Sequence, residues 1–253
     1  MSGGTRDRGE PGRPASDRPL LILECGGVAF ARAGLFQGFG AMFLEAGHLC
    51  PGEAVVVNAV EGPPAPRPED FSGIIVTGSL GMATDLPPWT QRAMGWLGAA
   101  AIRGLPILGV CYGHHLMAMI FGGQVGFHPG GLELGCHQIV LAPGAGGHPL
   151  LKDLPARFPA RLAHSQTVLR PPARARILAS SRHDAHQILD YGPGLLSCQF
   201  HPEFSALVMD AFIAELSGHR APPGRPAGLC LGREPMGTNH AQVLLRNFIQ
   251  RCR

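Results

Sequence analysis

The sequence predicts an α/β fold with a mainly parallel central sheet flanked by helices. Short apolar runs alternate with segments of helical spacing: LLILEC at Leu20–Cys25, AVVVNAV at Ala54–Val60, GIIVT at Gly73–Thr77 and PILGV at Pro106–Val110. The runs are apolar throughout rather than alternating, as strands covered on both faces are. Gly and Pro mark the junctions, with Pro87-Pro88 opening one helical segment and Gly104 closing it.

The elements follow in order. Residues 1–18, MSGGTRDRGEPGRPASDR, are polar, charged and rich in Gly and Pro, with no apolar centre. They are expected to form a disordered tail, not a signal peptide, before one domain over 19–253. After the strand at Leu20–Cys25, Ala33–His48 carries apolar residues at helical spacing and ends near Gly47 and Pro51. The strand at Ala54–Val60 leads into a Pro-rich loop, Gly62–Asp70, and Gly73–Thr77 ends in Gly78-Ser79. A helix is expected over Pro88–Arg103, a strand over Pro106–Val110 and a helix over Gly113–Phe121. Gln124–Leu141 is Gly-rich and alternating, the pattern of a hairpin. Further strands are expected at Arg176–Ala179, Gln187–Asp190 and Leu195–Phe200. A helix over Phe204–Leu216, a Gly/Pro-rich loop over His219–Gly237 and a final helix over Gln242–Arg251 complete the chain.

Composition narrows the function classes. The 253 residues are 45% hydrophobic and 15% charged, with mean hydropathy +0.11, enough for a sizeable core. A net charge of +3, with Lys152 the only lysine, gives no strong field for nucleic acid or an anionic membrane. No uncharged apolar run has the length of a membrane-spanning helix. A soluble protein without nucleic-acid or membrane partners is expected. The seven cysteines are odd in number, scattered, and contain no CxxC pair. This fits a reducing, cytoplasmic compartment and argues against a structural metal site.

Chemistry concentrates in two segments. Gly109-Val110-Cys111-Tyr112-Gly113 places a cysteine between a strand and a helix. This is the thiol counterpart of a nucleophile elbow, where small neighbours permit a sharp turn. The corner lifts the sulfur above the carboxyl edge of the sheet and sets it at a helix N-terminus, which favours thiolate. The Tyr112 N–H is placed to meet an oxyanion. A thiol nucleophile needs a base, and the base an orienting group. CQFHPEFS, Cys198–Ser205, offers His201 and Glu203 two residues apart after an apolar strand. On extended backbone such side chains point the same way, and Pro202 biases His201 towards that geometry. Other features read as packing. His114-His115 are adjacent on a helix and face different directions, Cys136-His137 lacks a matching ligand pair, and Trp89 and Trp96 fall on a packing face. The glycine runs lack the Lys-Ser/Thr ending of a phosphate loop.

Gly109-Val110-Cys111-Tyr112-Gly113-His114 and His201-Pro202-Glu203-Phe204 resemble the two signatures of the class I glutamine amidotransferases of the Cys–His–Glu type. The free-standing, GMP-synthase-like amidotransferase domain is the most similar variety, over about Leu20 to Phe248. Ile74–Ser79 stands in the place of that family's oxyanion loop. Gly131-Leu132-Glu133-Leu134-Gly135 resembles its segment after the nucleophile helix, and His164-Ser165-Gln166-Thr167-Val168 its substrate-flanking loop. The resemblance implies a flavodoxin-like fold in which Cys111 attacks the side-chain amide of glutamine. His201 then shuttles the proton, Glu203 orients it, and backbone N–H groups of Gly78, Ser79 and Tyr112 hold the oxyanion. His115, Ser165 and Gln166 flank the substrate. No metal or organic cofactor is implied, and ammonia would pass to a separate synthase subunit. Two positions depart from the family. Gly78-Ser79-Leu80 replaces Gly-Gly-Pro, which keeps a backbone donor, and His115 replaces a Gln that helps to seat glutamine. The second departure leaves open a stand-alone hydrolase of γ-glutamyl peptides or amines using the same triad. The intact triad argues against a third reading, a catalytically silent regulatory or binding subunit.

Overall fold

The structure is a computed structural model and describes residues 18–27, 38–62, 67–216, 229–232 and 239–253. The expected tail, apart from Arg18, and positions 33–37 of the first expected helix lie outside the described residues.

In chain order the elements are β1 (Leu20–Glu24), α1 (Phe39–Ala46), β2 (Ala54–Asn58), β3 (Gly73–Val76), α2 (Pro88–Ile102), β4 (Ile107–Val110), α3 (Tyr112–Ile120) and β5 (Gln124–Phe127). There follow β6 (Leu132–Leu141), β7 (Arg157–His164), β8 (Gln166–Arg170), β9 (Arg176–Ser180), β10 (Ile188–Gly192) and β11 (Leu195–Cys198). The last three are α4 (Ala206–Leu216), β12 (Leu229–Gly232) and α5 (Ala241–Cys252).

One large sheet has the order β12-β6-β9-β10-β11-β4-β3-β1-β2, with β7 on β6. From β2 to β11 every pairing is parallel. Along β1, Leu20 and Ile22 join the apolar layer containing α5, while Leu21 and Leu23 join the layer containing α2 and α3. Successive side chains of a strand face opposite sides, so a run apolar at every position serves both layers. Each fully buried Leu or Ile contributes about 1.5–3 kcal/mol. The pairing turns antiparallel where the connection is too short for a crossover. Pro193 and Gly194 join β10 to β11, with Gly192 at φ 121° and Gly194 at φ 79°.

Four expectations are corrected. β5 and β6 form no hairpin with each other: β5 pairs with β8 in a separate small sheet, and β6 pairs with β7. Their alternation marks strands but carries no information about the partner. β7 and β8 stand where no strand was expected, because RFPARLAH is interrupted by Pro159. Among the described residues β7 pairs only with β6, and an edge strand tolerates a residue without N–H. β12 lies within the expected 219–237 loop, and the rest of that loop, apart from its described portion, is outside the described residues. β11 ends at Cys198, two residues short of the expected end at Phe200, and His201 opens a turn instead of continuing on extended backbone.

Three parallel strands, β3, β4 and β11, end on the same edge, where Gly78-Ser79, Cys111 and His201 follow them. α3 presses against β3 there: a Cβ on Gly113 would run into the Val76 carbonyl. Gly113→Ala is therefore expected to destabilise the fold by about 1–3 kcal/mol. That is a melting temperature lower by several degrees at about 2–4 °C per kcal/mol. An unchanged melting temperature would show that this approach is slack.

Candidate active site

Cys111 is the hinge between β4 and α3, with φ 51° and ψ −98°. A residue with a Cβ holds such a conformation at a cost of about 1–3 kcal/mol, and only where its surroundings dictate it. The Cys111 N–H donates to Cys198 O at 2.9 Å, the His115 N–H to Cys111 O at 3.1 Å, and the Gly113 N–H to Thr77 O at 3.2 Å. Gly109 permits the corner, because a Cβ there would meet the Gly113 carbonyl and the Met117 sulfur. Tyr112 is pinned beside it, its hydroxyl 2.8 Å from Thr90 Oγ1 and its ring stacked on Trp89 at 5.7 Å. Trp89 is thus packing, as expected.

His201 and Glu203 meet through a turn. The His201 N–H donates to Arg161 O at 2.8 Å, and the Phe204 N–H closes back on His201 O at 3.4 Å. Glu203 Oε1 lies 2.7 Å from His201 Nδ1, and the two residues are 4% and 2% exposed. The imidazole is stacked on Phe204 with centroids 3.9 Å apart and planes 12° apart. Its Cε1 edge is pressed by the loop after β3: a Cβ on Gly78 would come within 2.9 Å of it. Only glycine lets that loop approach so closely. Burial opposes charge on His201, but the Glu203 carboxylate and the neighbouring Cys111 raise its pKa to about 10. A pKa that high keeps the imidazole protonated at neutral pH, with Glu203 on its Nδ1 and Cys111 lining the same cavity.

Cys111 and His201 share the wall of a cavity of about 110 Å³. Ser79, Tyr112, His115, Ser165 and Gln166 line it too. Among the described residues, the N–H groups of Gly78 and Ser79 meet no acceptor, and a first-turn N–H such as that of Tyr112 has no intrahelical partner. His115 Nε2 is 2.8 Å from Gln199 Oε1, and burial lowers the His115 pKa to about 4, so the ring is neutral. The Gln166 amide is committed to the loop after Met82: its Oε1 accepts from Ala83 N–H at 2.8 Å and its Nε2 donates to Thr84 Oγ1 at 2.6 Å. Among the described residues Ser165 Oγ has only the Met82 sulfur, at 3.8 Å. Leu80, Met82, Leu132 and Phe212 add an apolar wall that the sequence does not reveal. These residues come from three separate segments, so no local pattern announces them. Among the described residues no group of three His, Cys, Asp or Glu side chains is placed to hold a metal ion.

A second buried pair adjoins the cavity. His164 Nε2 is 2.7 Å from Glu133 Oε2, and its Nδ1 is 2.8 Å from Gln166 O. Ser181 Oγ donates to Glu133 Oε1 at 2.8 Å and Gln187 Nε2 to Oε2 at 3.1 Å. β6 and β7 place Glu133 and His164 directly opposite each other. Burial disfavours both charges, yet pairing prevails: the Glu133 pKa falls below its ordinary 4.5, and that of His164 rises above its ordinary 6.5. The carboxylate's contribution is present above about pH 4.5 and is lost as pH falls through its lowered pKa. The imidazolium's is complete below about pH 6.5 and is lost as pH rises through its raised pKa. Glu133→Gln is expected to lower stability by about 3–5 kcal/mol. Denaturant melts across pH should show the largest difference from wild type between pH 4.5 and 6.5. A pH-independent difference would mean that the pair is not charged.

The fold and site together define a class: an α/β protein with a cysteine at a strand–helix corner facing a His–Glu pair. The glutamine amidotransferase class-I family profile matches residues 54–219, and the chain belongs to that family. It is 33% identical over 133 residues to a glutamine-hydrolysing GMP synthase of Aeropyrum pernix, covering 52% of this chain and 24% of that protein. It is 28% identical over 144 residues to gamma-glutamyl peptidase 5 of Arabidopsis thaliana, covering 56% of this chain and 57% of the other. The chain thus aligns with less than two thirds of either relative. A glutamine amidotransferase structure from Methylobacillus flagellatus superposes with a TM-score of 0.70 at 20% identity, over 93% of both chains, a likeness of fold. No helix among the described residues is long and apolar enough to cross a membrane.

Proposed function

We propose that the protein is a cysteine hydrolase of the side-chain amide of glutamyl compounds. The observation that carries this reading is that Cys111 and His201 share one cavity wall, with the Glu203 carboxylate buried behind the imidazole at 2.7 Å. In this mechanism the Cys111 thiolate attacks the γ-carbonyl carbon. The N–H groups of Tyr112, Gly78 and Ser79 take up the charge on its oxygen. His201 gives its proton to the departing nitrogen, and the C–N bond breaks to leave a γ-glutamyl thioester. Water, deprotonated by the now neutral His201, attacks that thioester and releases glutamate and the thiol. Glu203 holds the imidazole in place and balances its charge throughout. No step calls for a metal or an organic cofactor.

The first reading of substrate is glutamine, with ammonia handed to a separate synthase subunit. The likeness to a glutamine-hydrolysing GMP synthase supports glutamine as the substrate. The second is a γ-glutamyl amide or peptide, cleaved without a partner. The apolar wall of Leu80, Met82, Leu132 and Phe212 favours it, since ammonia as a leaving group has no use for such a surface. So does the replacement of a substrate-seating Gln by His115, whose ring is tied to Gln199. Ser165 offers a hydroxyl to either substrate.

The test is release of ammonia from glutamine and of amine from γ-glutamyl amides, followed side by side. Cys111→Ala is expected to abolish both, and Glu203→Gln to lower kcat by about 10³–10⁴ while leaving residual turnover. Retained turnover in Cys111→Ala would refute the mechanism. Turnover of γ-glutamyl amides with none of glutamine would select the second reading.

A further inference from the structure

A cavity of about 380 Å³ lies at the opposite end of β4 and β11 from Cys111. The β10–β11 turn forms its floor, and Gly194 O there accepts the Ile107 N–H at the start of β4, at 2.8 Å. Its volume falls in the range of about 300–1,000 Å³ typical of small-molecule sites, whereas the cavity at Cys111 is about 110 Å³. The wall is basic: Arg174, Arg176 and Arg251 converge on it from the β8–β9 connection, β9 and α5.

The one carboxylate in the wall is already satisfied. Asp190 Oδ2 accepts from Arg176 Nε at 2.9 Å and Nη2 at 2.6 Å, and its Oδ1 from Gly192 N–H at 2.9 Å. Arg176 and Asp190 cancel. Arg174 and Arg251 have no carboxylate partner among the described residues. His148 accepts the Leu150 N–H on Nδ1 at 3.2 Å and lies 4.0 Å from Asp190 through Nε2. Burial, with Arg176 and Arg251 assisting against Asp190, lowers its pKa, so it adds a neutral polar group. Two uncompensated guanidinium charges therefore face a concave space whose remaining wall, Leu150, Pro193 and Leu195, is apolar.

We propose that this cleft is a binding site for a small phosphorylated molecule, distinct from the hydrolytic cavity. Two guanidinium groups match the two charges of a phosphoryl group and can meet its oxygens with paired N–H donors. The apolar wall takes the organic part of the ester. This assignment does not rest on the hydrolase reading, because none of its residues touches the cavity at Cys111.

Isothermal titration of the full chain with phenyl phosphate and with inorganic phosphate tests it. Phenyl phosphate is expected to bind saturably and more tightly than inorganic phosphate, and equally well to Cys111→Ala. The double variant Arg174→Glu/Arg251→Glu is expected to bind at least about a hundredfold more weakly, with an unchanged melting temperature. Undiminished affinity in the double variant, loss of binding in Cys111→Ala, or an equal response to sodium chloride at matched ionic strength would each overturn the proposal.

Discussion

Cys111 can hold φ 51° only while three strands agree on where it stands. Its N–H is taken by Cys198 O on β11, and the next turn of α3 is taken by Thr77 O beyond β3. β4 itself is locked between those two strands by parallel pairing. Glycines at 109 and 113 remove the two Cβ atoms that would force the corner open. The strain at one residue is thus offset by a register spread over the centre of the sheet. The same register brings Gly78-Ser79 and His201 to the thiol, since each follows one of the strands that fix it.

Three other buried thiols, Cys25, Cys198 and Cys252, stand in different surroundings. Burial raises Cys25 and Cys252 to about 12, and burial with Glu203 and Cys111 nearby raises Cys198 well above the ordinary thiol value. Cys111 alone among these faces a protonated imidazole, that of His201, which is itself held by Glu203. Beside the cavity lies the buried Glu133–His164 pair, whose carboxylate raises the pKa of His164 above its ordinary value. Both nitrogens of His164 are committed, so it supplies field and rigidity rather than a mobile proton. Ala163, the residue before it, places its carbonyl 4.0 Å from the Cys111 sulfur.

Much of this was legible in the sequence for a physical reason. The inner parallel strands β1, β3 and β4 are apolar almost throughout because both faces are covered, and that signature needs no partner to be read, although β2, at the edge, leaves Val55 and Val56 exposed. The corner at Cys111 showed because tight turns demand small residues in a fixed order. The pairing of β5 with β8 and of β6 with β7 was not legible, because alternation specifies a face and leaves the neighbour open. The His201–Glu203 contact was foreseen by a route the structure does not use: a turn closed by Phe204 delivers it, not an extended strand. The burial of Glu133 was hidden because a carboxylate in an alternating strand reads as solvent-facing until His164 is set opposite it.

The central claim is that one thiol among the seven is made nucleophilic by its corner, its imidazole and its oxyanion donors. Treating the folded protein with a glutamine-like electrophile and mapping the modified peptide by mass spectrometry tests it most directly. The account predicts a single adduct on Cys111, formed in step with loss of activity and slowed by substrate. An adduct on Cys198, or label spread over several cysteines at similar rates, would contradict it.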